Sequence, residues 1–175
     1  QQQLNYTCRE AQRYFEAYDT AGLVAVSFSP VGLKKPEIDS VYTSTLPRTI
    51  ATAKAIFGDT IPVSRYQVFR EYSKDIPHIP IVRLPLGFWK ICSTAEWILG
   101  LENTSHETFN QGRKRAADAG KFLERKAQLN GKVILTGHGF INYYIKKYLK
   151  KNGWKMLVNG RNKNLGVTLF VKVKH

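Results

Sequence analysis

Acidic side chains are scarce in this chain. Asp and Glu number 13 against 27 Lys and Arg, a formal net charge of +14. Such a field attracts anions of every kind, whether phosphate compounds, nucleic acid or acidic membrane, and does not choose among them. Cysteine is almost absent. Cys8 and Cys92 form no metal-binding or redox motif, which leaves two free thiols or one disulfide. No cofactor motif and no nucleic-acid-binding motif is present. Uninterrupted apolar runs are missing too. The longest candidate, residues 84–101, is broken by Lys90, Glu96, Gly and Pro, which argues against a transmembrane segment. A core-packed or lid-like helix is expected there, with an interfacial helix as the alternative. Internal repeats are absent, and the only low-complexity run is the opening triplet of glutamines. A start of that kind is readable as the mature end left after removal of an export signal.

What remains is an ordinary globular composition, 43% hydrophobic over 175 residues. A single domain spanning residues 1–175 is expected, burying roughly 70% of its unfolded surface. Thr7 followed by Glu10 predicts a capping box at the start of a helix, with Ala11, Tyr14, Phe15 and Tyr18 on its apolar face. An irregular stretch punctuated by Gly and Pro follows from Gly22. Residues 38–44 read as a strand. The next segment reads as a helix, with Thr45 as N-cap, Pro47 in its first turn and Gly58 at its end. Residues 61–72 alternate with period two and predict a strand that ends near Glu71. A helical, Pro-rich insertion occupies about 74–105. A polar loop closes it, and a long amphipathic helix begins near Glu107. Residues 165–175 are expected to form a final strand.

The most patterned unit lies near the end of the chain. Val133-Ile134-Leu135 reads as a strand buried on both faces. Gly137-His138-Gly139 follows, and then a helix with Ile141, Tyr144, Ile145, Tyr148 and Leu149 on one face. Lys146, Lys147, Lys150 and Lys151 fall on the other face, and Gly153 is the expected stop. A strand, a glycine-rich turn and a helix place the turn at the carboxyl end of a sheet, where α/β proteins bind ligands. The helix N-terminus offers N–H groups to an anion, and the glycines allow close approach.

The order of elements predicts an α/β protein, a three-layer sandwich with a mostly parallel sheet. Three residues then converge on one sheet edge. Arg48 stands in a first helical turn after a strand and suits bidentate phosphate binding. His138 stands in the equivalent turn of a second unit and adds a donor, or a charge when protonated. Glu71 closes a third strand, where a carboxylate serves as general acid or base. Taken singly, Arg48 reads as a surface arginine and Glu71 as a solvated strand end. Their agreement on one edge carries the functional reading.

At these residues the chain resembles the histidine phosphatase superfamily, the phosphoglycerate mutase-like proteins. The segment 41–57 is similar to that family's strand and helix in which a serine, a leucine and an arginine precede a Thr-Ala pair. Residues 68–72 and 133–142 resemble its next two motifs, and the likeness runs from about Tyr18 to the end. The resemblance implies a phosphoglycerate mutase-like fold and a phosphorylated small molecule or inorganic anion as ligand. It implies Arg48, His138 and Gly139 as phosphate-binding residues, and Glu71 and His138 as catalytic residues. It implies no cofactor and no metal.

The chain departs from that pattern in one respect. The family's first strand ends in Arg-His-Gly, whose histidine takes the phosphoryl group, and no such triplet occurs here. The histidines are His78, His106, His138 and His175, and none precedes Arg48. The nearest match, Arg9-Glu10, is explained by the capping box. Three readings follow. One is a pseudo-enzyme that binds a phosphorylated or anionic ligand with impaired or absent turnover. The second is a phosphomonoesterase or mutase whose nucleophile comes from outside this chain, the first strand being absent. The third is a basic module for acidic polymers or membrane surfaces, built on the lysines of residues 146–151.

Overall fold

Local sequence lays down the first helix, and neighbouring strands decide the rest. The computed structural model describes residues 4–22, 39–73, 75–101, 107–161 and 164–172. The irregular stretch expected from Gly22 and the polar loop before Glu107 lie almost wholly outside those residues. Two compact units make up the chain. One joins Gln1–Ala21 to Tyr72–Gly112, and the other joins Gly22–Glu71 to Arg113–His175. Among the described residues, no helix is long and apolar enough to cross a membrane.

In the first unit, helix α1 (Cys8–Thr20) opens on the capping box expected at Thr7 and Glu10. The Glu10 carboxylate accepts from the Thr7 N–H at 2.8 Å, and the Thr7 hydroxyl oxygen accepts from the Glu10 N–H at 3.3 Å. Ala11 is buried, whereas Tyr14 and Tyr18 of the expected apolar face stay about half exposed. Helix α3 (Leu86–Leu99) buries Trp89, Ser93 and Trp97, one face at a spacing of four. The Trp89 indole N–H donates to the Tyr6 carbonyl at 2.8 Å, and that of Trp97 donates to Glu107 at 2.7 Å. Trp97 also packs on Tyr72 and Phe109, with ring centroids 4.8 and 5.0 Å away. Trp89 and Trp97 are therefore core anchors of this unit. Phe88, Ile91 and Leu99 point to solvent from the opposite face. Cys8 and Cys92 are free thiols.

The second unit holds a parallel sheet of three short strands, β1 (Val41–Thr43), β2 (Val63–Arg65) and β3 (Ile134–Thr136), in the order β2-β1-β3. The fold class is thus α/β with a small parallel sheet. Val41, Val63 and Ile134 stand in register and share one face. That face packs on Ala53 and Phe57 of helix α2 (Pro47–Phe57). Tyr42 points the other way, edge-on to Phe122 of helix α4 (Phe109–Asn130). Helix α5 (Gly139–Lys151) buries Ile141, Ile145 and Leu149, as its periodicity predicts. It lies so close to α4 that Tyr148 stacks on the bare Gly120.

Four expectations need correction. The second strand does not run to Glu71. It ends at Arg65 and a 3-10 turn follows at Gln67–Phe69. Its partner β1 stops at Thr43, and the Thr43 carbonyl takes the Tyr66 N–H at 2.9 Å as the last rung. Thr45 does not cap α2, whose N-cap is Leu46. The Ser44 hydroxyl oxygen accepts the Leu46 N–H instead. β3 is half-buried, because the central position with full burial belongs to β1. The final strand, β5 (Thr168–Lys172), is not part of the parallel sheet. It pairs antiparallel with β4 (Trp154–Asn159), a strand not among those expected.

Candidate functional site

Ser44 is the first residue beyond β1, and its backbone leaves the sheet there to enter α2. The side chain is buried and lies at the centre of a hydrogen-bonded chain. The Thr49 hydroxyl donates to the Leu46 carbonyl at 3.0 Å, as its place in the first turn of α2 allows. Thr49 Oγ1 must then accept from the Ser44 hydroxyl, 2.8 Å away. Ser44 Oγ in turn accepts from the Leu46 N–H at 3.1 Å and from His138 Nε2 at 2.7 Å. The network closes with the His138 proton on Nε2, leaving Nδ1 as the acceptor. It ties the end of β1 to the N-cap of α5, across 94 residues of sequence.

His138 is buried at the carboxyl end of the sheet. Burial pushes its pKa down to about 3, and the charges of Arg48, Arg115 and Arg70 push in the same direction. The imidazole is neutral at any physiological pH. Of the two roles expected for His138, donor or cation, the shift disfavours the cation, and the Nε2 donor is committed to Ser44. Arg48 occupies the first turn of α2, as predicted, with its charge bearing on His138. Arg115, on α4, is a residue the sequence reading did not single out. Its guanidinium donates to the carbonyls of Val68 at 3.2 Å and Arg70 at 2.6 Å. Those carbonyls lie beyond the end of β2, where the sheet offers no partner. Arg115 thus fixes the segment that carries Glu71. Nothing in a helix rich in basic residues distinguishes it by sequence.

Glu71 sits beside the histidine turn by a route the sequence did not show. Its two carboxylate oxygens accept the N–H groups of Phe140 and Ile141, both at 3.0 Å. The carboxylate thereby occupies the first turn of α5, where an anion was expected. A negative charge there complements the helix dipole. Gly139 opens the helix, and a methyl group at its α-carbon would meet nothing within 4 Å. Gly137 differs: a methyl there would come within 2.7 Å of Asn142 Oδ1.

Two buried side-chain oxygens among the described residues make no hydrogen bond, Thr43 Oγ1 and Asn142 Oδ1. Thr43 directly precedes Ser44, and Asn142 lies over the turn that carries His138. Orphaned polar atoms cost about 1–3 kcal/mol each, and proteins retain few of them. Of the other histidines, His78 belongs to the first unit, with Nδ1 3.9 Å from Cys8 Sγ. His106 and His175 lie outside the described residues. No group of three or more His, Cys, Asp or Glu side chains that could hold a metal ion occurs among the described residues.

Set against protein-family models and against curated proteins, the chain finds no match in either.

Proposed function

We propose that this chain is a histidine-phosphatase-like domain of the phosphoglycerate mutase type that binds a phosphorylated small molecule or inorganic anion without turnover through a phosphohistidine. The observation that carries the reading is the field around His138. Three guanidinium groups, Arg48, Arg115 and Arg70, act on one buried neutral imidazole at the carboxyl edge of a parallel sheet. Such a field favours a ligand of negative charge, and an arginine in a helix first turn suits an oxyanion. The parallel order β2-β1-β3, which places Ser44 and His138 at adjacent strand ends, supports the reading. Glu71 suits the family's proton-transferring carboxylate by position, and it also holds α5 in place. The chain carries no histidine before Arg48 to receive a phosphoryl group. For the residues of this chain taken alone, turnover by that route lacks its covalent intermediate and is expected to be slower by several orders of magnitude.

The test combines vanadate and inorganic phosphate titration with a phosphomonoester assay, on the chain and its Arg48→Ala and His138→Ala variants. Binding that disappears in Arg48→Ala, with no turnover, is the expected result. A second readout follows from the electrostatics. A bound oxyanion offsets the guanidinium charges that depress His138, so the ring pKa rises on binding. Robust turnover with a trapped phosphohistidine would overturn the pseudo-enzyme reading in favour of an active phosphatase. Binding that is unchanged in both variants would leave only a diffuse basic surface.

A further inference from the structure

All 13 acidic residues lie at or before Glu124, whereas Arg125 to His175 carry 12 of the 27 lysines and arginines. This one-signed stretch contains the β4–β5 hairpin. The hairpin's inner side holds Trp154, Met156 and Phe170, all half-buried. The Trp154 indole N–H donates to Glu124 at 3.2 Å, and Lys172 pairs with the same carboxylate. The last acidic side chain is thus used to seat the hairpin on α4.

The outer side is different. Leu157, Val158, Leu165, Val167 and Leu169 are each between 41% and 54% exposed. Leu157 stands at a register shift between Met156 and Val158, which turns it outward beside Val158. At Gly160 and Val167 the two arms come close. A methyl at Gly160 would come within 2.3 Å of the Val167 backbone. Five partly exposed aliphatic side chains thus belong to the hairpin's distal half, where Val158 and Leu169 pair across the strands, and the exposed Lys150, Lys151, Lys155 and Arg161 flank them in sequence.

We infer that this hairpin is a docking element for an anionic lipid bilayer, its Leu and Val side chains entering the headgroup boundary while the lysines face lipid phosphate and carboxylate groups. Contiguous exposed apolar surface rimmed by charge marks an interaction site. Apolar insertion combined with a cationic rim is the recipe for binding acidic membranes. Nucleic acid suits the hairpin less well. Stacking on bases needs outward aromatic rings, and Trp154 and Phe170 are on the inner side. A second copy of the chain suits it less well too. That contact would bring two exclusively cationic stretches face to face.

The experiment is co-sedimentation of the full chain with phosphatidylcholine vesicles, with and without about one-third phosphatidylserine. The chain is expected to bind the anionic vesicles only, and less at high salt. The triple variant Leu157→Ser/Leu165→Ser/Leu169→Ser keeps every charge and should bind at least about tenfold more weakly. The variant Lys150→Gln/Lys151→Gln/Lys155→Gln alters only exposed side chains and should lose about fivefold per lysine. The lysine variant keeps the test decisive if the serine variant does not fold, because unchanged vesicle binding in it overturns the inference. So does equal binding to neutral and anionic vesicles. Retained anionic-vesicle binding by a folded serine variant also overturns it, leaving a diffuse charge effect. Self-association or nucleic-acid binding that disappears in the serine variant, without vesicle binding by the parent chain, reassigns the hairpin to those partners.

Discussion

Acidification should destabilise this protein through His138 in particular. The unfolded imidazole titrates near 6.5, and the buried one only near 3. Between those values the unfolded chain holds a proton that the folded chain does not. Folding therefore releases a proton, and stability falls as pH drops below about 6.5, by about 1.4 kcal/mol per pH unit, levelling near 3. Above the unfolded pKa the group has no pH effect. At pH 5 the accumulated penalty is about 2 kcal/mol. The informative variant is His138→Gln, whose amide nitrogen can follow Nε2 and keep donating to Ser44 Oγ. It should cost about 1 kcal/mol at neutral pH through poorer geometry. It carries no acid penalty, so by pH 5 it should equal or exceed the parent chain in stability. Urea unfolding of both proteins between about pH 7.5 and pH 5 gives the difference directly, because other titrating groups cancel. Stability curves that stay parallel across this range would refute the reasoning. A His138 ring pKa near the ordinary value, measured by NMR, would refute it at its origin.

Other perturbations follow from single contacts. Glu71→Ala leaves two helix N–H groups without their carboxylate and should lower stability by about 1–2 kcal/mol, read from the urea midpoint. Glu71→Gln, which keeps acceptor oxygen but not charge, should cost less. Gly120→Ala places a methyl 2.3 Å from the Tyr148 ring; overpacking of this kind should cost about 1–3 kcal/mol in thermal or urea unfolding. Trp97→Ala removes a side chain that is 1% exposed, with an expected loss of about 3–5 kcal/mol. Glu124 is held below its ordinary pKa, first by its hydrogen bond from Lys172. Its contribution is present above the unfolded carboxylate range and is lost as pH falls through the folded pKa, so Glu124→Gln should flatten the acid limb of the stability curve.

Short-range chemistry made several elements legible. The Thr7–Glu10 box, Pro47 at the head of α2, Gly58 at its end and the apolar spacing of α5 act within a turn or two, so residue order alone determines them. The strand, Gly-His-Gly turn and helix followed for the same reason, and with them the placement of Arg48 and His138 at strand ends. Pairing is another matter. Residues 66–71 have the alternation of a strand, but a strand needs a neighbour, and β1 ends at Thr43. That decision belongs to tertiary structure, and it carries Glu71 away from a strand end to the first turn of α5. Burial with three distant guanidinium groups likewise decides that His138 is neutral, and the Ser44 bond orients its ring. The hairpin's inner and outer sides depend on a register shift and on Glu124, 30 residues before Trp154. Periodicity reports which face of an element is apolar, and only the packed neighbours determine what that face meets.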